Sequence, residues 1–299
     1  MPHLCALLWG APSAGRLRIM RADDKVLAAL AQLRTVDEGE LPSRAVLSEV
    51  TDHLIKALFP HRLGMAGGDV GAFVRRMLES ALGSLTGEVA TELAFQRRSG
   101  RAVVECDDLV GRFAESLPEI RALLDSDIQM AYRGDPAARS IPEVLVCYPG
   151  IHAMMHHRIA HSLHLLGVPF VARVISELGR AETGIDIHPA ASIGGGCFID
   201  HGTGVVIGET AILGENVRLY QHVTLGAKKL DGVPKGMPRH PIVEDDVTIY
   251  SGATVLGRIT IGEGSVIGGG VWVTSDLPPG SFVTQARTQV EAFTDGGGI

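Results

Sequence analysis

Residues 187–199 read IHPAASIGGGCFI, and within this stretch isoleucine recurs at every sixth position. The six-residue interval continues as far as residue 273, with two interruptions. Its members are Ile187, Ile193, Ile199, Ile207, Leu213, Leu219, Leu225, Val243, Ile249, Val255, Ile261, Ile267 and Val273. A unit of one short strand and one corner buries its aliphatic side chain only when several coils stack on each other. A set of β-hairpins would instead show apolar and polar residues alternating at every second position, with variable spacing between the strands. The interval therefore predicts a parallel β-helix of hexapeptide repeats.

The residues before this repeat follow a helical period instead. Leu47, Val50, Leu54 and Leu58 form one apolar stripe at three- and four-residue spacing. The predicted helices cover residues 25–36, 41–59, 71–95, 106–116, 117–130, 151–166 and 170–178. The fold class is thus α+β, an N-terminal α-helical domain followed by a left-handed parallel β-helix. We expect a disordered extension over 1–22, a helical domain over 23–183, a β-helix domain over 184–283 with a loop at 227–241, and a tail over 284–299.

Composition excludes several classes of function. The chain has 299 residues, of which 45% are hydrophobic, so it can form a packed core. Its net charge of −7 disfavours binding to nucleic acid or to an anionic membrane. The four cysteines are scattered without a close pair, which indicates free thiols in a reducing compartment. No stretch approaches about 20 apolar residues, and we expect a cytoplasmic protein.

The first interruption of the repeat carries a candidate catalytic pair. Two extra residues intrude between Ile199 and Ile207, in the segment DHGTG at 200–204. Asp186 lies fifteen residues before His201, roughly one coil below it. A histidine held by a carboxylate is a competent general base, because the acid fixes its tautomer. The alternative is a structural histidine that stacks along the wall of the β-helix.

The second interruption, the loop at 227–241, ends in Arg239 and His240. Their side chains are suited to holding a carboxylate, although a loop pair of this kind is often solvated surface. Glu209 could bridge a loop or subunit contact.

His157, His161 and His164 share one helix face, but no Cys, Asp or Glu joins them, so packing against the β-helix is a better account than a metal site. We expect no metal.

Residues 127–283 resemble the serine acetyltransferases, a family of hexapeptide-repeat acyltransferases. The most specific motifs are DIHPAA at 186–191, DHGTG at 200–204, GET at 208–210, VTLG at 223–226 and RHP at 239–241. Further matches are DIQ at 127–129, the stretch 133–136, GIHA at 150–153 and RIAH at 158–161. The resemblance implies transfer of the acetyl group of acetyl-CoA to the hydroxyl of L-serine. The products are O-acetyl-L-serine and CoA, in the first step of cysteine biosynthesis.

The resemblance also implies a role for each site residue. His201 would be the base for the serine hydroxyl, and Asp186 would orient it. Asp127 and Asp200 would engage the serine ammonium group, and Arg239 and His240 its carboxylate. The resemblance places Gly226 and Ala227 beside acetyl-CoA, which is a co-substrate, and no tightly bound cofactor is expected.

The resemblance further implies a homo-oligomer, a trimer or a dimer of trimers, with sites between neighbouring subunits. The tail that ends in Ile299 is similar to the family's tail, which docks in the active site of O-acetylserine sulfhydrylase. The chain departs from the family at Ala227, where glycine is usual, in the lysines of the following loop, and at residues 284–287. These departures concern the CoA contacts.

Three other functions compete with this interpretation. One is a hexapeptide acyltransferase for a sugar or another hydroxyl acceptor, and the acids and Arg239 favour an amino-acid acceptor over it. Another is a non-catalytic regulatory partner of a sulfhydrylase, against which Asp186 and His201 argue. The third is a β-helix carbonic anhydrase, which would need zinc-binding histidines closer together than those of the β-helix.

Overall fold

The computed structural model describes residues 40–64, 67–98, 100, 105–228, 234 and 236–285. The predictions for the extension at 1–22, for a helix over 25–36 and for the tail beyond Gln285 lie outside these residues. From Leu41 onward the chain forms one compact unit, in which helices precede strands. This order confirms the α+β prediction. The last helix ends at Thr183 and the first strand begins at Asp186, while the division into separate domains stays a prediction.

Helices occupy the first part of the unit. They are α1 (Arg44–Leu58), α2 (Pro60–Leu63), α3 (Val70–Arg98), α4 (Cys106–Gly134), α5 (Ile141–Cys147), α6 (Pro149–Leu165) and α7 (Pro169–Thr183). The predicted stripe is buried on α1, where Ser43 caps the helix by accepting a hydrogen bond from the backbone N–H of Val46. None of the described helices is long and apolar enough to cross a membrane.

Helix α4 differs from the prediction of two helices over 106–116 and 117–130. It continues through Pro118 and ends only at Gly134. The proline is exposed, whereas Phe113, Leu117 and Ile120 beside it keep a continuous buried stripe. Burial of that stripe offsets the hydrogen bond that proline cannot donate. Helix α5, which the sequence analysis did not predict, is a seven-residue segment capped by Ser140.

Within the described residues, fourteen strands form three parallel sheets, one for each side of a prism. Sheet A contains β1 (Asp186–Ile187), β4 (Val206–Ile207), β7 (Thr224–Gly226), β10 (Thr254–Leu256) and β13 (Trp272–Val273). Sheet B contains β2 (Ser192–Ile193), β5 (Ile212–Leu213), β8 (Ile242–Val243) and β11 (Thr260–Ile261). Sheet C contains β3 (Phe198–Ile199), β6 (Arg218–Leu219), β9 (Thr248–Ile249), β12 (Val266–Ile267) and β14 (Phe282–Val283). The repeating aliphatic residues are buried inside the prism, which confirms the six-residue pattern.

The strand register shows where the two interruptions leave the coil. Thr254 pairs with Trp272, which is 18 positions further on, as three six-residue units require. Asp186 pairs with Val206, so the first coil holds two extra residues. Ile212 pairs with Ile242, so the third coil holds twelve. Both insertions emerge at corners and leave the stacking of the sheets intact.

Helices α4 and α6 pack directly on sheet C through two glycines. A Cβ at Gly150 would lie 2.1 Å from the carbonyl oxygen of Ile199, and one at Gly134 would lie 2.0 Å from the guanidinium of Arg218. Only glycine permits the approach at Gly150, where the neighbour is backbone, whereas at Gly134 a side chain would displace the Arg218 guanidinium. The end of α4 and the start of α6 are therefore held against the strand that leads into the first insertion.

Candidate active site

The two-residue insertion pushes His201 out of the prism wall. His201 lies in the corner between sheets C and A, which we call the histidine corner (residues 200–204). Its backbone is left-handed, with φ 57°, and Gly202 donates a hydrogen bond to the carbonyl oxygen of Asp200 at 2.6 Å. The imidazole is 71% exposed, whereas the Asp200 side chain beside it is 17% exposed. The histidine therefore faces outward, and it does not stack along the wall.

Acidic groups surround this imidazole. His201 Nε2 lies 3.9 Å from Asp200 Oδ1, and the positive form of His201 also lowers the pKa of Asp135. Tyr148, at the start of α6, donates its hydroxyl to Asp135 Oδ2. Asp135 Oδ1 accepts a second hydrogen bond, from the backbone N–H of Ala137 at 2.8 Å. The accessible base thus lies near two carboxylates, Asp200 in the histidine corner and Asp135 in the loop after α4, a set that suits a cationic amine with a hydroxyl nearby.

No role for Asp135 was predicted from the sequence. The hydrogen bond from Tyr148 is the main cause that lowers the pKa of this carboxyl, so Asp135 stays ionised beside Asp200. Its loop is fixed because Arg218 stacks over Phe198, with its Cζ 4.9 Å from the ring centroid, and donates to the carbonyl oxygen of Gly134. The signal in the sequence was its position between Gly134 and Pro136, which end the helix and place Asp135 in the loop that follows.

Asp186 lies one coil below the histidine corner, as expected. Gly204 donates its N–H to the carbonyl oxygen of Gly184 at 2.9 Å, so this corner stacks on the residues that precede Asp186. Asp186 Oδ2 lies 3.6 Å from Arg180 Nη1 at the end of α7. Among the described residues no hydrogen bond or ion pair joins Asp186 to His201. The catalytic pair therefore stays a prediction.

Asp127 has a different place from the one expected. It is fully buried within α4 and forms a double hydrogen bond with Arg158, both distances being 2.7 Å. It also accepts the backbone N–H of Cys197 at 2.9 Å. Burial raises its pKa, and the Arg158 guanidinium opposes that rise. The geometry contradicts a contact between Asp127 and a substrate ammonium group, because the carboxylate is closed to solvent and already joins α4, α6 and the β-helix.

Arg239 and His240 meet the GET motif at a second corner, between sheets A and B. We call this the arginine corner (residues 208–210 and 239–240). Arg239 Nη2 lies 2.5 Å from Glu209 Oε2. Burial acts to raise the pKa of Glu209, but the hydrogen bond and charge of Arg239 bring it below its ordinary value. A Cβ at Gly208 would lie 2.0 Å from the His240 ring, so glycine is required there. The two residues are therefore anchored, and they are not solvated loop surface.

Thr210 fixes the tautomer of His240. Its hydroxyl oxygen accepts the backbone N–H groups of Arg239 and His240 at 2.8 and 3.1 Å. Its own N–H lies 3.1 Å from His240 Nδ1, and its hydroxyl lies 2.9 Å from the same atom. Nδ1 must therefore accept, which leaves the proton on Nε2. Burial, followed by the charge of Arg239, lowers the pKa of His240 and keeps the ring neutral. The arginine corner therefore offers the guanidinium of Arg239 and the Nε2–H of His240, two donors that together suit a carboxylate.

The other predicted groups lie near this second corner. Gly226 and Ala227 stack one coil above Gly208, whose N–H donates to the carbonyl oxygen of Leu225 at 3.1 Å.

The histidine face of α6 packs on the β-helix, as predicted. His161 Nδ1 lies 2.8 Å from the carbonyl oxygen of Pro189, and His164 meets His188 edge to face. Within the described residues no group of three His, Cys, Asp or Glu side chains could hold a metal ion.

The two corners lie at opposite ends of strand β4. Four residues of extended chain separate Gly204 from Gly208, about 13 Å at 3.3 Å per residue. One small amino acid does not span that distance. Within a single chain, the histidine corner and the arginine corner are therefore two separate half-sites.

Comparisons with known proteins agree with this architecture. The family described as "Bacterial transferase hexapeptide (six repeats)" matches residues 240–275. A serine acetyltransferase of Synechococcus elongatus is 45% identical over 315 aligned positions, which cover 96% of this chain and 99% of that protein. A serine acetyltransferase of Bacillus subtilis is 52% identical over 161 positions, which cover 54% of this chain and 72% of that protein.

Two solved structures extend the comparison. Serine acetyltransferase isoform 3 of Entamoeba histolytica, in complex with cysteine, has a TM-score of 0.72 and 33% identity, covering 90% of this chain and 93% of that one. The Neisseria gonorrhoeae serine acetyltransferase in complex with serine has a TM-score of 0.55 and 29% identity, covering 82% of this chain and 97% of that one. The likeness confirms the left-handed parallel β-helix.

Proposed function

The chain belongs to the serine acetyltransferase family, and from this premise we propose how its two corners act on the substrates. The protein is an acyltransferase that moves the acetyl group of acetyl-CoA to the hydroxyl of L-serine. Relatives at 45% and 52% identity carry this activity in their names, and this agreement favours serine over a sugar or another hydroxyl acceptor. The observation that carries our proposal is the division of the polar groups between two corners of one prism.

The active site is completed by a second copy of the chain. The histidine corner of one copy faces the arginine corner of the next, since both corners border sheet A, and the ring has three copies, as the family resemblance implies. This head-to-tail arrangement is the cyclic solution for a heterologous interface. Exposed apolar side chains on sheet A support it, since Val206 is 37% and Trp272 68% exposed in the single chain.

Serine binds by its charges. Asp135 and Asp200 hold the ammonium group, and Asp135 here replaces Asp127 of the sequence analysis. Arg239 and His240 of the neighbouring copy hold the carboxylate, the first by its guanidinium and the second by its Nε2–H. This allocation leaves the serine hydroxyl next to His201. Asp186 is the residue that orients His201 once the site is assembled.

His201 moves one proton in each direction. As the serine oxygen attacks the thioester carbonyl carbon of acetyl-CoA, His201 takes the hydroxyl proton. The tetrahedral adduct then expels the CoA sulfur, the C–S bond breaks, and the imidazolium returns the proton to the thiolate. The hydroxyl needs this help because it is a weak nucleophile at neutral pH. Gly226 and Ala227, stacked above the arginine corner, are placed to line the path of the acetyl-CoA chain.

The remaining expectations stay predictions. Docking of the tail on an O-acetylserine sulfhydrylase concerns Ile299, which lies outside the described residues. A hexamer built from two trimers and a cytoplasmic location likewise rest on the resemblance and on composition.

The test is serine-dependent release of CoA from acetyl-CoA, with O-acetylserine identified by mass spectrometry. The variant is His201→Asn, because asparagine tolerates the left-handed backbone at this position. Turnover should fall by about 10²–10⁴, the contribution of a general base. His222→Asn is the matched control, since His222 is exposed, has φ 59° and lies one coil above. Equal losses of turnover in the His201→Asn and His222→Asn variants would overturn the proposal, and so would wild-type CoA release that does not depend on serine.

A further inference from the structure

Tyr148 is hydrogen-bonded to one of the two carboxylates near His201 and feels the charge of the other. Its hydroxyl donates to Asp135 Oδ2, and the charge of Asp200 also acts on it. Burial, followed by the bond to Asp135, raises the pKa of the phenol, so the hydroxyl keeps its proton and remains a donor. Tyr148 is the N-cap residue of α6, with an extended backbone directly before Pro149.

A carboxylate stays ionised when hydrogen-bond donors stabilise its charged form. Asp135 receives two donors, the backbone N–H of Ala137 on Oδ1 and the Tyr148 hydroxyl on Oδ2. Each oxygen keeps one lone pair for a further donor. The two bonds together fix the rotamer of the carboxylate as well as its charge.

We propose that Tyr148 is a positioning residue, which holds Asp135 ionised and oriented for the ammonium group of the amino-acid acceptor. The inference rests on the proposed function, in which Asp135 and Asp200 bind that group. Tyr148 thus contributes to the choice of an amino acid over an acceptor that lacks the amine. It does not take part in the proton transfer.

The test replaces Tyr148 with phenylalanine, which keeps the ring and removes only the hydroxyl. The KM for L-serine should rise about ten-fold, the usual effect of losing one hydrogen bond to a charged group. The kcat and the KM for acetyl-CoA should change less than about three-fold, because the reacting atoms keep their contacts. The competitive inhibitor 3-hydroxypropanoate has the hydroxyl and the carboxylate of serine without its amine. Its inhibition constant should therefore be the same for wild type and Tyr148→Phe.

Two further variants separate this role from a general structural one. Tyr132→Phe removes an exposed hydroxyl that has no hydrogen bond among the described residues, and it should leave all constants unchanged. In an Asp135→Asn background, Tyr148→Phe should raise the KM for L-serine little further, since the group that Tyr148 positions has lost its charge. The inference would be overturned if Tyr148→Phe raised the serine KM equally in both backgrounds. It would also be overturned if the serine KM of the single Tyr148→Phe variant stayed within two-fold of wild type. If the wild type shows no serine-dependent CoA release, the proposed function itself is wrong.

Discussion

Replacing Asp127 with asparagine should destabilise the protein without weakening its affinity for serine. The carboxylate is fully buried and accepts three hydrogen bonds, two from Arg158 at 2.7 Å and one from the N–H of Cys197 at 2.9 Å. The amide leaves the Arg158 cation buried without its counter-charge, a loss of about 3–5 kcal/mol. Arg158 also donates to the carbonyl oxygens of Ile193 and Gly194, so the lower end, about 3 kcal/mol, is expected.

Urea unfolding at a fixed protein concentration measures this change, because subunit association makes the midpoint depend on concentration. The control is Asp125→Asn on the same helix, where an exposed ion pair with Arg121 at 2.9 Å should contribute less than about 1 kcal/mol. Steady-state kinetics on the folded Asp127→Asn protein should give an unchanged KM for serine. A change in unfolding free energy below about 1 kcal/mol, together with a ten-fold rise in that KM, would refute the structural role of Asp127.

Two other predictions concern partly buried polar groups. Thr210→Val removes the hydroxyl that orients His240 and accepts two N–H groups, so the KM for serine should rise about ten-fold in steady-state assays, with rescue by Thr210→Ser. Burial, followed by the charge of Arg173, lowers the pKa of His188 to about 4, and burial lowers that of His156 as well. The unfolded chain binds these protons at an ordinary pKa near 6.5, so stability is present above that pH and falls as the pH drops toward 4. The urea midpoint should therefore decrease from pH 7 to pH 5, and His188→Gln should make the decrease shallower. A midpoint independent of pH would contradict this account.

The β-helix could be predicted because its signal is local and repeated. Each six-residue unit places its own aliphatic side chain inward, so the interval itself reports the coil. The register confirms the two extra residues near His201, and it shows that the loop before His240 adds twelve. The phase of the repeat also holds a signal that was not used in the sequence-based prediction, namely that the two insertions lie at different corners. Ile199 belongs to sheet C and Val243 to sheet B, so the residues next to them leave the prism at different corners.

The acids of the site were harder to predict, because a carboxylate in a motif does not report its burial. Asp127 lies three residues after Leu124 and four before Ala131, which is the spacing of the buried stripe of α4. That spacing was the available signal for a structural role. The contact of Asp135 with Tyr148 joins residues 13 apart across α5, a helix that the sequence analysis did not predict. Such a contact depends on the tertiary packing of α4 and α6 on sheet C.

The composite site is tested most directly by mixing two inactive variants. His201→Asn disables one corner and Arg239→Ala the other, and each alone should show little turnover. In trimers formed at random from equal amounts of the two chains, a site is intact when an unaltered histidine corner faces an unaltered arginine corner, which gives about one quarter of wild-type activity. Activity of the mixture no greater than the average of the two variants alone would show that each site lies within a single chain, and would contradict the account.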